Sequence, residues 1–462
     1  MKVLLVNPSQ TKVYGKMKSP DYPPLGLAYI GAVLEDAGHQ VRIIDIDADG
    51  ITQDNFIEIV KERYELVGFT ATTPTFENAE KLCALVKKNT EAVTVLGGIH
   101  ATIVGDEVAK SDSIDFVVRS EGEATILELI EVICGKKKAA EVKGISFMDS
   151  GTVNHTPDRD LIKNLDDIPF PARHLFNHQK YVYPDSLLTP VMPIITSRGC
   201  PNSCTYCCVK LIYHRRFRYR SAENIVDEIE KLIDDYGVKE IHFWDDNFTL
   251  LKKRVFGVRD ELKRRNIKLK FAFPNGLRVD RVDEEILRCL KDMGVYSIAF
   301  GVESGNQNIL NNAKKGITLS QIEKAYSLAK KIGFETWGFF IIGLPGETKE
   351  TIRDTIKLAK KINPDIAKFH ILKPFPGTKV FDELNEKGLI TEYDYSHYGI
   401  HTRPVHRLPD LDEDELMKWA KQAYREFYLR PSKIFGLLLR TKSWDRFKLN
   451  VKTGFFVLKS MR

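Results

Sequence analysis

Cys200, Cys204 and Cys207 follow one another at the spacing C-x3-C-x2-C, in the run Ser197-Arg198-Gly199-Cys200-Pro201-Asn202-Ser203-Cys204-Thr205-Tyr206-Cys207. One tight loop thus offers three thiolates, one fewer than the four that close an iron–sulfur or zinc site. A three-thiolate [4Fe–4S] cluster leaves one iron open to a small-molecule ligand. S-adenosylmethionine (SAM) is such a ligand: chelated there and given one electron, it breaks to a 5′-deoxyadenosyl radical. A zinc knot, or three packed thiols, is the alternative. Zinc sites usually bring two paired C-x2-C elements, and the chain has no second pair. Cys208 adjoins Cys207 and is poorly placed to share the same metal corner.

The elements that must hold this loop form a series. From residue 192, six strand patterns (192–197, 239–244, 269–274, 296–301, 335–342 and 365–372) alternate with amphipathic helices. Between 222 and 235, Ile225, Val226, Ile229, Leu232 and Ile233 make one apolar stripe. Thr318 and Gln321 form a capping box that opens a helix running to Lys331. Six βα units predict a partial TIM-like barrel, a relative of the eight-unit form whose active sites lie at the C-terminal strand ends. The cysteine loop follows the first strand. The next three strands lead into Asp245-Asp246-Asn247-Phe248, Asn275-Gly276-Leu277-Arg278 and Gly301-Val302-Glu303-Ser304-Gly305. The last two lead into Gly343-Leu344-Pro345-Gly346-Glu347-Thr348 and Lys373-Pro374-Phe375-Pro376-Gly377-Thr378. Carboxylates, amides and glycines converge on one mouth, a composition suited to an amino acid zwitterion and a ribose. Residues 343–349 lack the spacing of a Walker loop, which argues against nucleotide hydrolysis there.

Before the barrel, strand patterns at 2–6, 41–46, 66–70, 92–96 and 115–119 alternate with helices such as 25–37, stopped by Gly38. This predicts a doubly wound parallel sheet of flavodoxin/Rossmann-like type, which binds ligands at the carboxyl ends of its strands. Asn7-Pro8, Thr72-Thr73-Pro74-Thr75, Gly97-Gly98-Ile99-His100-Ala101-Thr102 and Ser120-Glu121-Gly122-Glu123 lie at those ends. The α/β chain therefore divides into a first domain at 1–135, a linker at 136–190, the barrel at 191–385 and a helical, basic region at 386–462. The linker holds a hairpin pattern (144–148 and 152–155) and proline-rich aromatic stretches.

With 43% hydrophobic and 29% charged residues among 462, the composition is that of a soluble globular protein. No apolar run approaches the ~20 residues of a transmembrane helix, and the opening Met1-Lys2-Val3-Leu4-Leu5-Val6 reads as a strand rather than a signal peptide. Clustered cysteines in such a chain point to a reducing cytoplasm; Cys83, Cys134 and Cys289 fall in helical patterns as packed thiols. Residues 430–462 hold nine Lys or Arg against Asp445, a balance of +8, so the rest of the +6 chain sums to −2. That leaves the fold without a basic footprint for nucleic acid. Leu416, Trp419, Ala420, Ala423 and Phe427 form a stripe that packs on the barrel. Beyond it, apolar runs mixed with bare positive charge make either a peripheral membrane contact or a closing cap. The basic run from Lys210 to Arg220 reads as a clamp between domains or a solvated face before it reads as a phosphate site.

Together these motifs resemble the cobalamin-dependent (class B) radical SAM family, over nearly the whole chain. The N-terminal set, with Pro23-Pro24-Leu25-Gly26-Leu27, is similar to that family's cobalamin-binding domain, and the strand-end set to its radical SAM barrel. The resemblance implies that Cys200, Cys204 and Cys207 hold the cluster and that Tyr206 packs on the SAM adenine. It puts Asp245 and Asp246 near the methionyl amine, and Arg278 and Glu303 at the carboxylate or ribose. Thr72, Thr73, Gly97, Gly98, His100 and Glu121 would contact cobalamin. The D-x-H-x-x-G motif, whose histidine ligates cobalt in many cobalamin proteins, is absent. The implied reaction is C-methylation of an unactivated carbon, with SAM as source of both the methyl group carried by cobalamin and the adenosyl radical. A radical cyclisation, rearrangement or carbon–carbon coupling uses the same parts, on a small molecule or a lipid or polyprenyl-derived substrate. A non-enzymatic corrinoid and iron–sulfur sensor is a third reading. A tRNA methylthiotransferase is set aside, because only Cys83 and Cys134 precede residue 190. The electron donor would be a reductant such as ferredoxin or flavodoxin.

Overall fold

Strand β1 (Lys2–Asn7) is apolar on both faces, as a strand covered by helices on each side must be. Leu4 and Val6 enter one core and Val3 and Leu5 the other, the two-residue alternation of a strand between two layers. The computed structural model describes residues 1–11, 13, 22–181, 183, 186–431 and 433. The basic apolar tail that suggested a membrane contact falls outside the described residues. Around β1 lie β2 (Gln40–Asp45), β3 (Leu66–Thr70), β4 (Val93–Gly97) and β5 (Phe116–Val118) in the spatial order β2-β1-β3-β4-β5, all parallel. This is the flavodoxin-like order expected from the sequence. The hairpin assigned to the linker is instead part of this sheet. Strand β6 (Ile145–Asp149) pairs antiparallel with β5, and β7 (Thr152–His155) with β6. Apolar Ile145 and Phe147 face the core of the first sheet, which is why the hairpin docks there.

The second sheet begins at β8 (Val191–Ile194). The chain then leaves the sheet, and β9 (Ser197–Arg198) pairs with β10 (Arg218–Tyr219) as a separate antiparallel ribbon. Strands β11 (Glu240–Phe243), β12 (Lys270–Leu277), β13 (Val295–Glu303), β14 (Glu335–Ile342) and β15 (Ile366–Ile371) complete six parallel strands in the order β8-β11-β12-β13-β14-β15. Strands β12 and β13 run past their expected ends, through register shifts after Phe273 and Gly301. Asn275, Gly276, Val302 and Glu303 are therefore strand residues.

The outward side chains of these strands form one large core with the surrounding helices. Helix Ala222–Tyr236 buries Ile225, Val226, Ile229 and Leu232, and the Thr318–Gln321 capping box opens helix Leu319–Ile332. Strand β15 is an edge, which exposed backbone groups make a liability. Helix Glu413–Tyr428 covers it. Ala367 N donates to Tyr428 Oη (2.9 Å) and Phe369 N to Tyr424 Oη (3.1 Å), while Leu416, Ala423 and Phe427 are buried below. Among the described residues no helix is long and apolar enough to cross a membrane.

Candidate active site

The cysteine loop leaves β9 at Gly199, whose φ is +90°, a left-handed conformation open to glycine. A Cβ there would stand 2.0 Å from the carbonyl oxygen of Arg216, so the close pass of two backbones requires this residue. Gly199 N donates to Asp246 Oδ2 (2.8 Å). Thr205 N donates to Ala313 O (3.0 Å) and its own carbonyl accepts from Val380 N (3.2 Å), pinning the loop to the barrel. Cys204 is buried; Cys200, Cys207 and Cys208 are half-buried, and all are reduced. Burial pushes the Cys207 thiol up to about 11, with Cys204, Asp246 and Cys200 adding to the rise. Asn202 Nδ2 lies 3.1 Å from Cys200 Sγ, and Asn247 Nδ2 3.7 Å from the same sulfur. Among the described residues no group of three or more His, Cys, Asp or Glu side chains closes around a single metal ion.

The two aspartates after β11 divide. Asp245 is consumed inside the protein: Oδ1 accepts from Thr196 N (2.7 Å), and Oδ2 from Thr196 Oγ1 (2.6 Å), Ser197 Oγ (2.5 Å) and Arg254 Nη2 (3.1 Å). Asp245, expected near the methionyl amine, fixes the turn that launches the cysteine loop. Asp246 is exposed at the mouth and holds Gly199, and desolvation by its surroundings raises its carboxyl to about 6. Glu303, at φ +66°, pairs with buried Lys315 Nζ at 2.6 Å. Arg278 donates to Asp280 Oδ1 (2.9 Å) and to Lys315 O (2.8 Å), so Glu303, Lys315, Arg278 and Asp280 form one linked group beside the cysteines. Tyr206 packs against the barrel core beside Cys204, and burial, with Glu303 next, holds its phenol well above the ordinary value.

At the strand ends of the first sheet, Thr72 is exposed and Gly97 and Gly98 half-buried. Gly98 has φ +95°, and a Cβ would reach within 2.7 Å of Thr70 Oγ1. His100 is 1% exposed, with its ring 4.5 Å from Phe76 and 5.0 Å from Tyr395. Its Nδ1 faces Thr73 Oγ1 at 3.3 Å, and burial lowers the imidazole to about 4. His100 Nε2 is buried without a hydrogen-bond partner. Glu121 is buried. Its carboxylate accepts from Arg198 Nη1 (2.8 Å), Arg218 Nη1 (2.7 Å) and Ile162 N (2.8 Å), and Glu123 accepts from Arg198 Nη2 (2.5 Å). Glu121, expected at the cobalamin, links the two domains, and the basic run containing Arg218 is that link's other half.

The strand-end loops of both sheets thus meet. Ser120 Oγ donates to Ile212 O (3.0 Å), just past the cysteines, and Tyr395 of the C-terminal region lies over His100. Sequence reasoning did not single out Asn202, Asn247, Lys315 or Arg254. Asn202 and Asn247 stood within quoted motifs; Lys315 and Arg254 carry no sequence signal and are brought in by the fold.

A six-stranded parallel half-barrel with a three-thiol loop at its mouth, joined edge to edge with a flavodoxin-like sheet, defines a radical SAM protein with a second cofactor-type domain. Residues 194–359 match the Radical SAM superfamily and residues 12–130 the B12 binding domain. The chain is similar to an uncharacterized methyltransferase of Pyrococcus horikoshii, at 35% identity over 93% of each chain. It is also similar to the anaerobic magnesium-protoporphyrin IX monomethyl ester cyclase of Rubrivivax gelatinosus, at 30% identity over 98% of this chain and 83% of that one. The cobalamin-dependent S-adenosylmethionine radical enzyme OxsB shares the fold at TM-score 0.75, 18% identity, covering 100% of this chain and 71% of its own. The protein belongs to the cobalamin-dependent radical SAM family.

Proposed function

We propose that this protein is a C-methyltransferase acting on an unactivated carbon of a small molecule, with Cys200, Cys204 and Cys207 holding a [4Fe–4S] cluster. When bound, the cluster with SAM supplies the adenosyl radical, and the corrinoid carries the methyl group. The observation that carries this reading is the meeting of the two sheets' strand-end loops, through Ser120 Oγ to Ile212 O and Arg198 to Glu121. The donor set fits such a cluster: three thiols, Cys200, Cys204 and Cys207, stand on one pinned turn. The orphaned Nε2 of His100 fits a bound group at the first sheet, since an unpaired buried polar atom costs about 1–3 kcal/mol. Thr72, Gly97 and Gly98 present the accessible surface there. Asp246, Tyr206, Arg278 and Glu303 line the barrel side, where they would orient SAM and exclude water. Proximity is the protein's main contribution, because the cofactors carry the difficult chemistry. A reductant such as ferredoxin or flavodoxin would supply the electron, in a reducing cytoplasm.

A radical cyclisation is the second reading, favoured by the likeness to the cyclase. Anaerobic reconstitution with iron, sulfide and hydroxocobalamin, followed by SAM and a reductant, distinguishes the two. Methylation predicts 5′-deoxyadenosine together with cobalamin retained through gel filtration. Deoxyadenosine without retained cobalamin would favour the cyclisation, and failure to assemble any cluster would remove both.

A further inference from the structure

Thr205, between Cys204 and Cys207, is held from both sides, by Ala313 O at its N–H (3.0 Å) and by Val380 N at its carbonyl (3.2 Å). Each holder adjoins a surface lysine: Lys314 follows Ala313, Lys379 precedes Val380, and both are exposed. At the start of the loop, Arg215 Nε donates to the carbonyl oxygen of Pro201 (3.1 Å), the residue after Cys200. Arg215 is exposed, as are His214 and Arg216 beside it. Lys210 is half-buried on the short helix Val209–Tyr213, which follows the last of these cysteines. That helix adjoins the loop leading to Lys379, since a Cβ on Gly377 would stand 3.2 Å from Leu211 Cδ1. Basic residues thus border the outer side of the cysteine loop along its length.

The stretches that carry these residues, 197–222, 304–322 and 366–381, contain no Asp or Glu. Their inward-facing cations are neutralised by carboxylates from other segments: Arg198 and Arg218 by Glu121, Arg220 by Glu228, and Lys315 by Glu303. The outward ones are not. Lys210, His214, Arg215, Arg216, Lys314 and Lys379 make no ion pair among the described residues. Residues 1–429 sum to −2, so these charges make a positive patch on a fold of slightly negative balance. Exposed charges add little to stability, but an opposite charge on a partner is steered towards them. Nucleic acid or an anionic bilayer could be drawn by a basic patch anywhere on the surface. This one is bonded to the backbone beside Cys200 and Cys204, where an electron must enter, and that placement favours a partner that has to reach the cysteines.

We propose that Lys210, Arg215, Arg216, Lys314 and Lys379 form the docking surface for the electron donor, and that the donor is a small carrier protein with an acidic face around its redox group. The assignment rests on the reading of the cysteine loop as an iron–sulfur site and names the surface that serves it. In the encounter the carrier is oxidised by one electron and the cluster is reduced by one. No bond forms or breaks in the protein, and the complex is held by exposed ion pairs that salt screens.

Calorimetric titration of the full-length, reconstituted protein with an acidic flavodoxin, with duplex DNA and with anionic phospholipid vesicles tests it. Flavodoxin should bind, about tenfold more weakly at ~0.5 M than at ~0.05 M salt. Arg216→Glu, Lys314→Glu and Lys379→Glu should each weaken binding by up to about fivefold, the span of an exposed ion pair, and together by about tenfold or more. The basic C-terminal tail is intact in every variant, so the loss reports this face. Dithionite, which needs no docking, should bleach the cluster equally in wild type and triple variant. Reduced flavodoxin should bleach the triple variant about tenfold more slowly. If the triple variant loses iron, the single reversals carry the comparison. Flavodoxin binding indifferent to salt and to the three reversals, or equal bleaching by flavodoxin, would overturn the surface. So would DNA or vesicle binding lost with the same reversals in a protein that ignores flavodoxin. Deoxyadenosine is assayed on the same samples. A protein that makes it with dithionite yet does not bind flavodoxin overturns the surface alone. Salt- and charge-dependent flavodoxin binding in a protein that assembles no cluster supports the surface and removes the radical reading.

Discussion

The guanidinium of Arg198, two positions before the first cysteine of the loop, is held at 2.8 Å by Glu121 at a strand end of the other sheet. Glu123 takes its second nitrogen at 2.5 Å, and Arg218 shares Glu121 at 2.7 Å. Four charges, two following β5 and two on the β9–β10 ribbon, are thus interlocked, with the side chains of Glu121 and Arg198 4% and 11% exposed. The cysteine loop cannot shift relative to the first sheet without breaking this group, so the spacing of the two strand-end edges is set by ion pairs.

Glu121→Ala should therefore cost far more than a surface substitution. It leaves two nearly buried arginines short of a counter-charge, and breaking a buried pair from one side costs about 3–5 kcal/mol. A urea titration should show the midpoint fall accordingly. An unchanged midpoint would mean that water replaces the carboxylate and that the interlock is decorative.

The same group predicts acid sensitivity. Burial alone would raise Glu121, but the Arg218 and Arg198 guanidiniums outweigh it and hold the carboxyl below its ordinary value. Glu228 behaves alike, with burial outweighed by Arg173 and Arg220. A depressed carboxyl contributes stability above its unfolded pKa, about 4.3, and loses it as pH falls through the folded value. Melting temperatures should therefore hold between pH 7 and about 5 and fall steeply below about 4. In Glu121→Gln the acid-side fall should be shallower, because one of the linked groups no longer titrates.

The four cysteines of the loop region should separate cleanly. Replacing Cys200, Cys204 or Cys207 by Ala should abolish the iron–sulfur absorbance of reconstituted protein. Cys208→Ala should retain it, since Cys208 caps the short helix Val209–Tyr213 instead of joining the turn. Iron and sulfide analysis of each variant is the check, and loss of iron in Cys208→Ala would require a different ligand set.

Much of this arrangement was legible in the residues. Period-two and period-3.6 apolar patterns located all six barrel strands and the five strands of the first sheet, because buried parallel strands and amphipathic helices differ in both length and period. The hairpin 145–155 was legible as a hairpin, but not as an edge of the first sheet. Local pattern records which face of a strand is apolar, not which sheet that face meets. The same limit explains Asp245 and Glu121. Each was found as a carboxylate at a strand end, yet its partners, Arg254 and Arg198, come from distant segments that only the fold brings near.

Gly199 offers the sharpest single test of the cysteine loop. Its φ of +90° and the Arg216 carbonyl oxygen 2.0 Å from the position of a Cβ act together. Alanine would meet a backbone atom, which cannot rotate aside as a side chain would. Either β9 or the segment ending at Arg216 must move, and both belong to the ribbon that carries the cysteines and Arg218. The strain of a left-handed alanine alone costs about 1 kcal/mol or more; the clash adds to it locally. Gly199→Ala should consequently melt only modestly lower than wild type while binding much less iron on reconstitution. Near-normal iron content with a normal melt would show that the ribbon yields without disturbing the cysteines, and that the close backbone approach is not what shapes the loop.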